Sequence, residues 1–178
     1  MADSGAGSEW LEEDEATLSR SNPETALMES ADRSPQLQIR AATPGDLGAI
    51  TALLEVLGYP ADTEEVAPRL QRLLEHPDCG VLIADLDGIT TGLATFQFVY
   101  LLEREKPQCR ITALVTEPQT RRHGVARALV QEVEHRAEDA GCFRLEVTTQ
   151  PERPDAIEFY SAIGFRERPL RLVRYLLD

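Results

Sequence analysis

The stretch RITALVTEPQTRRHGVARALV, Arg110 to Val130, changes its period part way along. It opens as a β-strand, breaks at Glu117-Pro118, crosses a short polar turn, and resumes as a helix near Arg121-Arg122-His123-Gly124-Val125-Ala126. A strand that feeds a helix through a glycine-bearing turn leaves backbone N–H groups without partners at the helix N-terminus, where the macrodipole also favours negative charge. The segment therefore predicts a phosphate cradle. Gly124 and Ala126 keep side-chain bulk out of the approach, and Arg121 and Arg122 add charge at its rim.

Outside this stretch, composition narrows the choices. A chain of 178 residues suits one domain with an appendage. Its 18 basic against 31 acidic residues, net −13, argue against a nucleic-acid surface and against an anionic membrane. No apolar run approaches the roughly 20 residues of a membrane span, and the acidic N-terminus is unlike a secretory signal, so the chain reads as cytoplasmic. Cys79, Cys109 and Cys142 have no metal-ligand spacing and read as small hydrophobes in a reducing compartment; no metal is expected.

Residues 1–35 differ from the rest. Nine acidic side chains against Arg20 and Arg33 carry −7 of the −13, apolar residues are too few for a core, and Gly, Ser, Asn and Pro punctuate the segment. It reads as a disordered acidic extension, with a turn of helix around Trp10 to Leu18 as an option, and residues 36–178 as the folded domain.

That domain starts with an alternating strand at Leu37 to Arg40. Thr43-Pro44-Gly45-Asp46 then signals a helix start, followed by Leu47, Ile50, Leu53, Leu54 and Leu57 at helical spacing and Gly58 as the stop. A second helix runs from Asp62 until His76-Pro77. Strands at 81–84 and 89–100 flank the hairpin signal Asp87-Gly88, and 109–116 returns antiparallel. Val125, Leu129, Val133, Ala137 and Ala140 share one stripe of the long helix; Phe143, Leu145 and Val147 alternate in a strand that the crossover makes parallel to 109–116. A short helix from Arg153, with Pro154 in its first turn and Gly164 just past its end, precedes a last strand near Leu170 to Leu176.

The pattern Val115, Pro118, Arg121, Gly124, Ala126 lacks the Gly-Lys-Ser/Thr of a Walker loop and two of the three glycines of a Rossmann fingerprint. It resembles the acetyl-CoA motif of the GNAT superfamily of N-acetyltransferases. Downstream, Ala156, Phe159, Tyr160, Gly164 and Phe165 are similar to the other half of that signature, and the resemblance spans residues 37–178.

The resemblance implies an α/β fold: a mixed, mostly antiparallel sheet of six or seven strands, helices on both faces, and a parallel strand pair splayed to admit acetyl-CoA. It implies that the backbone of Ala113, Leu114 and Val115 pairs with the pantetheine arm, with the Val115 N–H at the thioester oxygen, and that N–H groups of Arg121, Arg122, His123, Gly124, Val125 and Ala126 hold the pyrophosphate. Tyr160 is the expected acid for the departing thiolate. Arg153, where many family members have asparagine, is placed low among the binding residues. The usual strand glutamate is missing from Arg110 to Thr116, which leaves Glu103 and Glu146 as candidate bases, each of which also reads as a solvated or salt-bridged carboxylate.

The expected activity is direct acetyl transfer from acetyl-CoA to a small-molecule or peptide amine. The alternative is an inactive acyl-CoA sensor or interaction module. Pairing of the last strand across a homodimer is a further expectation.

Overall fold

The computed structural model describes residues 35–149, 153–168 and 174. The acidic extension, with the optional helix at Trp10 to Leu18, and most of the expected last strand lie outside the described residues. No helix among the described residues is long and apolar enough to cross a membrane.

Five strands form one sheet in chain order: β1 (Leu37–Ala41), β2 (Cys79–Leu86), β3 (Ile89–Val99), β4 (Gln108–Thr116) and β5 (Leu145–Val147). The first four pair antiparallel, and β5 lies parallel to β4. The expected six or seven strands are thus corrected to five among the described residues. Asp87 and Gly88, both at positive φ (52° and 80°), make the tight β2–β3 turn that the Asp-Gly pair predicts.

Helices cover both faces. Strand alternation sends Val81, Ile83, Leu93 and Val115 to one side, where they meet Ile50 and Leu53 of α1 (Leu47–Leu57) and Val66 and Leu70 of α2 (Thr63–Glu75). Leu82, Ala84, Ala94, Phe96, Cys109 and Ile111 face the other side and pack on Val125, Leu129, Val130, Val133 and Ala137 of α3 (Val125–Asp139). Phe159 and Ile163, from α4 (Pro154–Ala162) and its end, pack against that second core. Gly92 sets how near α3 comes to the sheet: a Cβ there would stand 2.8 Å from Val125 Cγ1 and 3.0 Å from Leu129 Cδ1. The first turn of α3 is thereby pressed onto β3.

Arg40 ties the start of the fold together. Its guanidinium reaches Asp46 and Asp85, each at 2.7 Å, while Asp46 accepts the Thr43 N–H at 2.7 Å. Hydrogen bonding from Arg40 holds the Asp46 carboxyl well below the usual carboxylate range.

Several boundaries differ from the sequence reading: β2 runs Cys79–Leu86 against an expected 81–84, and two further shifts bear on the site. The α3 helix begins at Val125 rather than near Arg121, because Arg122 and Gly124 are left-handed (φ 69° and 78°) and cannot continue a helix. β5 begins at Leu145, and Phe143 sits outside it under the guanidinium groups of Arg104 and Arg144, at 5.4 and 5.1 Å from its ring centre.

Candidate active site

β4 has two neighbours for only part of its length. Cys109, Arg110 and Ile111 pair with Leu145, Glu146 and Val147 of β5, and there the parallel ladder ends. Among the described residues β4 continues against β3 alone, from Thr112 to Thr116 opposite Gly92. A strand edge of five residues is left open between β4 and the line of β5.

A bulge marks the point of opening. Thr95 lies opposite Ala113 and Phe96 opposite Ile111, so Thr112 is the extra residue on β4. Its hydroxyl meets that of Thr95 at 2.6 Å. Side-chain directions agree: Cys109, Ile111 and Leu114 all turn toward α3, a spacing that needs one inserted residue between 111 and 114.

The bulge also decides which backbone groups face the opening. The Cys109 N–H donates to the Arg144 carbonyl across the parallel pair at 2.9 Å. Regular alternation from Cys109 would aim the N–H groups of 113 and 115 at the gap. Past the bulge, however, the Glu117 N–H donates to the Thr91 carbonyl of β3 at 2.8 Å, with Val115 opposite Leu93 and Ala113 opposite Thr95. By alternation Val115 and Ala113 therefore bond to β3, while Leu114 and Thr116 present their N–H and C=O groups to the opening. The expectation that Val115 offers its N–H is corrected by one residue, and Thr116 joins the open edge.

The edge leads into the turn before α3. A short 3-10 turn (Pro118–Thr120) follows β4, and Arg121 and His123 send their N–H groups back to the carbonyls of Pro118 and Thr120, each at 3.4 Å. The first helical bond is Ala128 N–H to Gly124 C=O at 2.9 Å, so Val125, Ala126 and Arg127 have no intrahelical acceptor. Left-handed Arg122 and Gly124 curve the backbone into a concavity of the kind that binds anions, and the space before Gly124 is open, with nothing within 4 Å of a Cβ placed there. Of the six expected donors, Arg121 and His123 turn inward; Arg127 was missed. The His123 side chain braces the turn instead, since its Nδ1 lies 3.1 Å from the Arg121 carbonyl and donates to it.

Tyr160 is 9% exposed and sits in edge-on contact with Phe159 (5.2 Å) and Phe165 (5.3 Å). Burial pushes its phenol up to about 12, against a smaller lowering by the Arg153 charge, so the group is protonated throughout the physiological range. Arg153 is the residue that precedes α4 and is exposed, near enough to act on Tyr160.

Neither carboxylate candidate is a free base at the opening. Glu103 is exposed in the β3–β4 connection, at the entry end of β4, whereas the opening occupies the exit end; from Gln108 to Thr112 alone the strand rises about 14 Å. Glu146 is engaged by Arg110 (Nε 2.6 Å, Nη2 2.5 Å), by Gln108 Nε2 (3.1 Å) and by Arg144 Nη2 (3.1 Å). The cysteines stay apart from the opening as well: Cys109 is fully buried, and burial raises its thiol to about 12.

Comparison with known proteins identifies the family and the fold. The model of the acetyltransferase (GNAT) family matches residues 48–165. The aminoglycoside N(6')-acetyltransferase type 1 of Stenotrophomonas maltophilia is 32% identical over 133 residues, 72% of this chain and 86% of that protein. The aminoalkylphosphonate N-acetyltransferase of Salmonella typhimurium is 25% identical over 146 residues, 82% of this chain and 95% of that one. Among solved structures, an Agrobacterium tumefaciens protein assigned as an acetyltransferase superposes with a TM-score of 0.72 at 27% identity, covering 78% of this chain and 99% of its own. An aminoglycoside N-acetyltransferase in complex with CoA superposes at 0.73 with 21% identity, over 83% and 99%, and shares the fold. With its two motifs on either side of an opened parallel strand pair, the chain belongs to the GNAT family of acetyltransferases.

Proposed function

We propose that the chain is an N-acetyltransferase that moves the acetyl group of acetyl-CoA to a primary amine by direct attack while both are bound. One observation carries the reading: the unpaired edge of β4 runs from the Thr112 bulge straight into the anion-binding turn at Arg122–Gly124. That edge suits an extended, amide-bearing arm added like a strand, and the concavity suits a pyrophosphate. Acetyl-CoA supplies the activated acetyl group and a thiolate leaving group.

The other roles fall to this chain's residues. Leu114 and Thr116 hold the arm through their backbone, and one of their N–H groups stabilises charge on the acyl oxygen. The N–H groups of Gly124, Val125, Ala126 and Arg127 hold phosphate, with Arg121, Arg122 and Arg153 at the rim. Tyr160, kept neutral by burial, gives its proton to the departing sulfur. With Glu146 occupied and Glu103 remote, the amine proton leaves to water, which suffices for an amine that arrives neutral. The catalytic domain is residues 36–178, with 1–35 an acidic extension in a cytoplasmic enzyme, and the acceptor is a small-molecule amine of the kind the two curated relatives are named for.

The engaged Glu146 also favours a second reading, an acyl-CoA-binding module without turnover. Thiol release from acetyl-CoA over a panel of amines separates the two. Amine-dependent release that falls roughly 100-fold in Tyr160→Phe, with acetyl-CoA affinity retained, supports the enzyme; tight binding without release from any amine supports the module.

A further inference from the structure

The face of the sheet opposite α3 is covered by α1 and α2 only around Val81, Ile83, Leu93 and Val115. Cys109, Ile111, Leu145 and Val147 all turn toward α3, so Arg110 and Glu146 between them turn to the other face. Thr95 and Thr112 share that face next to Leu93 and Val115, with their hydroxyls 2.6 Å apart. A polar floor thus begins at the bulge, where the strand pair opens, and continues under the paired half of β4.

Among the described residues positive charge exceeds negative on this floor. The Glu146 carboxylate is surrounded by donors from Arg110, Gln108 and Arg144, and Arg144 Nε also binds Gln108 Oε1 at 2.9 Å. Two guanidinium groups therefore face one carboxylate, and their side chains keep 35% and 50% of their surface exposed. In the adjoining turn Glu103 and Glu105 are matched by Arg104 and Lys106. Such an excess stands out in a chain of net charge −13.

We infer that this floor selects acceptors that carry a carboxylate or phosphonate two or three carbons from the reacting amine. The inference rests on the acetyl-transfer reading. An amine seated at the Thr95–Thr112 hydroxyls lies about two strand residues, roughly 7 Å, from Arg110 on the same face, a reach that suits such a molecule. Arg110 and Arg144 keep donors that Glu146 does not use, and a guanidinium is well shaped for either anion. A polycationic acceptor would instead bring its spare ammonium groups against them.

The test compares kcat/KM for 2-aminoethylphosphonate, β-alanine, ethanolamine and an aminoglycoside. The expected result is a preference of about tenfold or more for one or both anionic amines over ethanolamine, with the phosphonate and carboxylate arms telling which anion is read. Arg144→Gln and Arg110→Gln should bring the ratio near one, chiefly through a higher KM for the anionic amine. Arg144 is the more exposed and leaves Glu146 its Arg110 partner, so that variant keeps the fold. Faster turnover of ethanolamine or the aminoglycoside, or a preference that survives both substitutions, overturns the anionic-acceptor inference and leaves acetyl transfer standing. No thiol release with any of the four overturns the anionic-acceptor inference, and silence across the wider amine panel overturns acetyl transfer as well.

Discussion

The two halves of β4 belong to one strand and differ in their company. From Cys109 to Ile111 the backbone is bonded on both sides, and the outward side chain of Arg110 is tied to Glu146. From Thr112 to Thr116 only β3 is present among the described residues, and the outward polar atoms belong to a pair of threonines and the backbone itself. The closed half has its backbone groups matched within the protein, which makes it rigid, so that a ligand there meets side chains such as Arg110 rather than the backbone. The open half keeps donors and acceptors at an edge that would invite aggregation if it were long and flat. A bulge at its start and a left-handed turn at its end keep it short and twisted, and on the proposed function the unmatched groups are there for a ligand.

The largest effect that would break this contrast is at the backbone. Val115→Pro removes a ladder bond to β3 as well as buried packing and should cost about 3 kcal/mol or more in urea unfolding. Thr116→Pro removes a donor that faces the opening, so it should weaken acetyl-CoA binding with a much smaller loss of stability. The reverse order would mean that the bulge does not set the polarity of the edge.

Next in size is the turn. Gly124→Val places a branched side chain at positive φ in the open space before α3, and acetyl-CoA affinity by calorimetry should fall by about 2 kcal/mol, roughly thirtyfold. A variant that binds normally would move the phosphate site elsewhere.

Glu146→Gln probes the closed half. Because its partners are partly exposed, the stability loss should be only about 1 kcal/mol, and the pH profile of kcat should keep its shape. Loss of an acidic limb from that profile would make Glu146 the base and erase the functional difference between the halves.

The smallest effect is a pH dependence that shows only in alkali. The Tyr160 phenol ionises near 12 in the folded chain but near its usual 10 when unfolded, so the neutral form is the one that folding favours. Its contribution is complete below about pH 10 and is lost as pH rises toward about 12. The gap in denaturation midpoint between wild type and Tyr160→Phe should stay flat to pH 10 and then change; a change near pH 7 would contradict the buried phenol.

Several elements were legible because their signals are local. The alternation of Leu37 to Arg40, the Asp87-Gly88 turn, the helical stripe of Val125, Leu129, Val133 and Ala137, and the two motifs that point to the family all lie within a few residues of chain. Side-chain period and turn chemistry do not need the rest of the protein to be read. Which backbone N–H faces the opening is another matter. It depends on an extra residue at Thr112, and a bulge exists only relative to the partner strand that it fails to match, so Val115 was the natural choice until the register with β3 was known. The inward turn of the Arg121 and His123 N–H groups, the removal of Glu103 to the far end of β4 and the engagement of Glu146 by two arginines are likewise facts of pairing across the fold. By itself the sequence determined the elements, their order and the family; only tertiary structure decided which atoms face the site, because strand register and ion-pair partners are set by contacts between residues far apart in the chain.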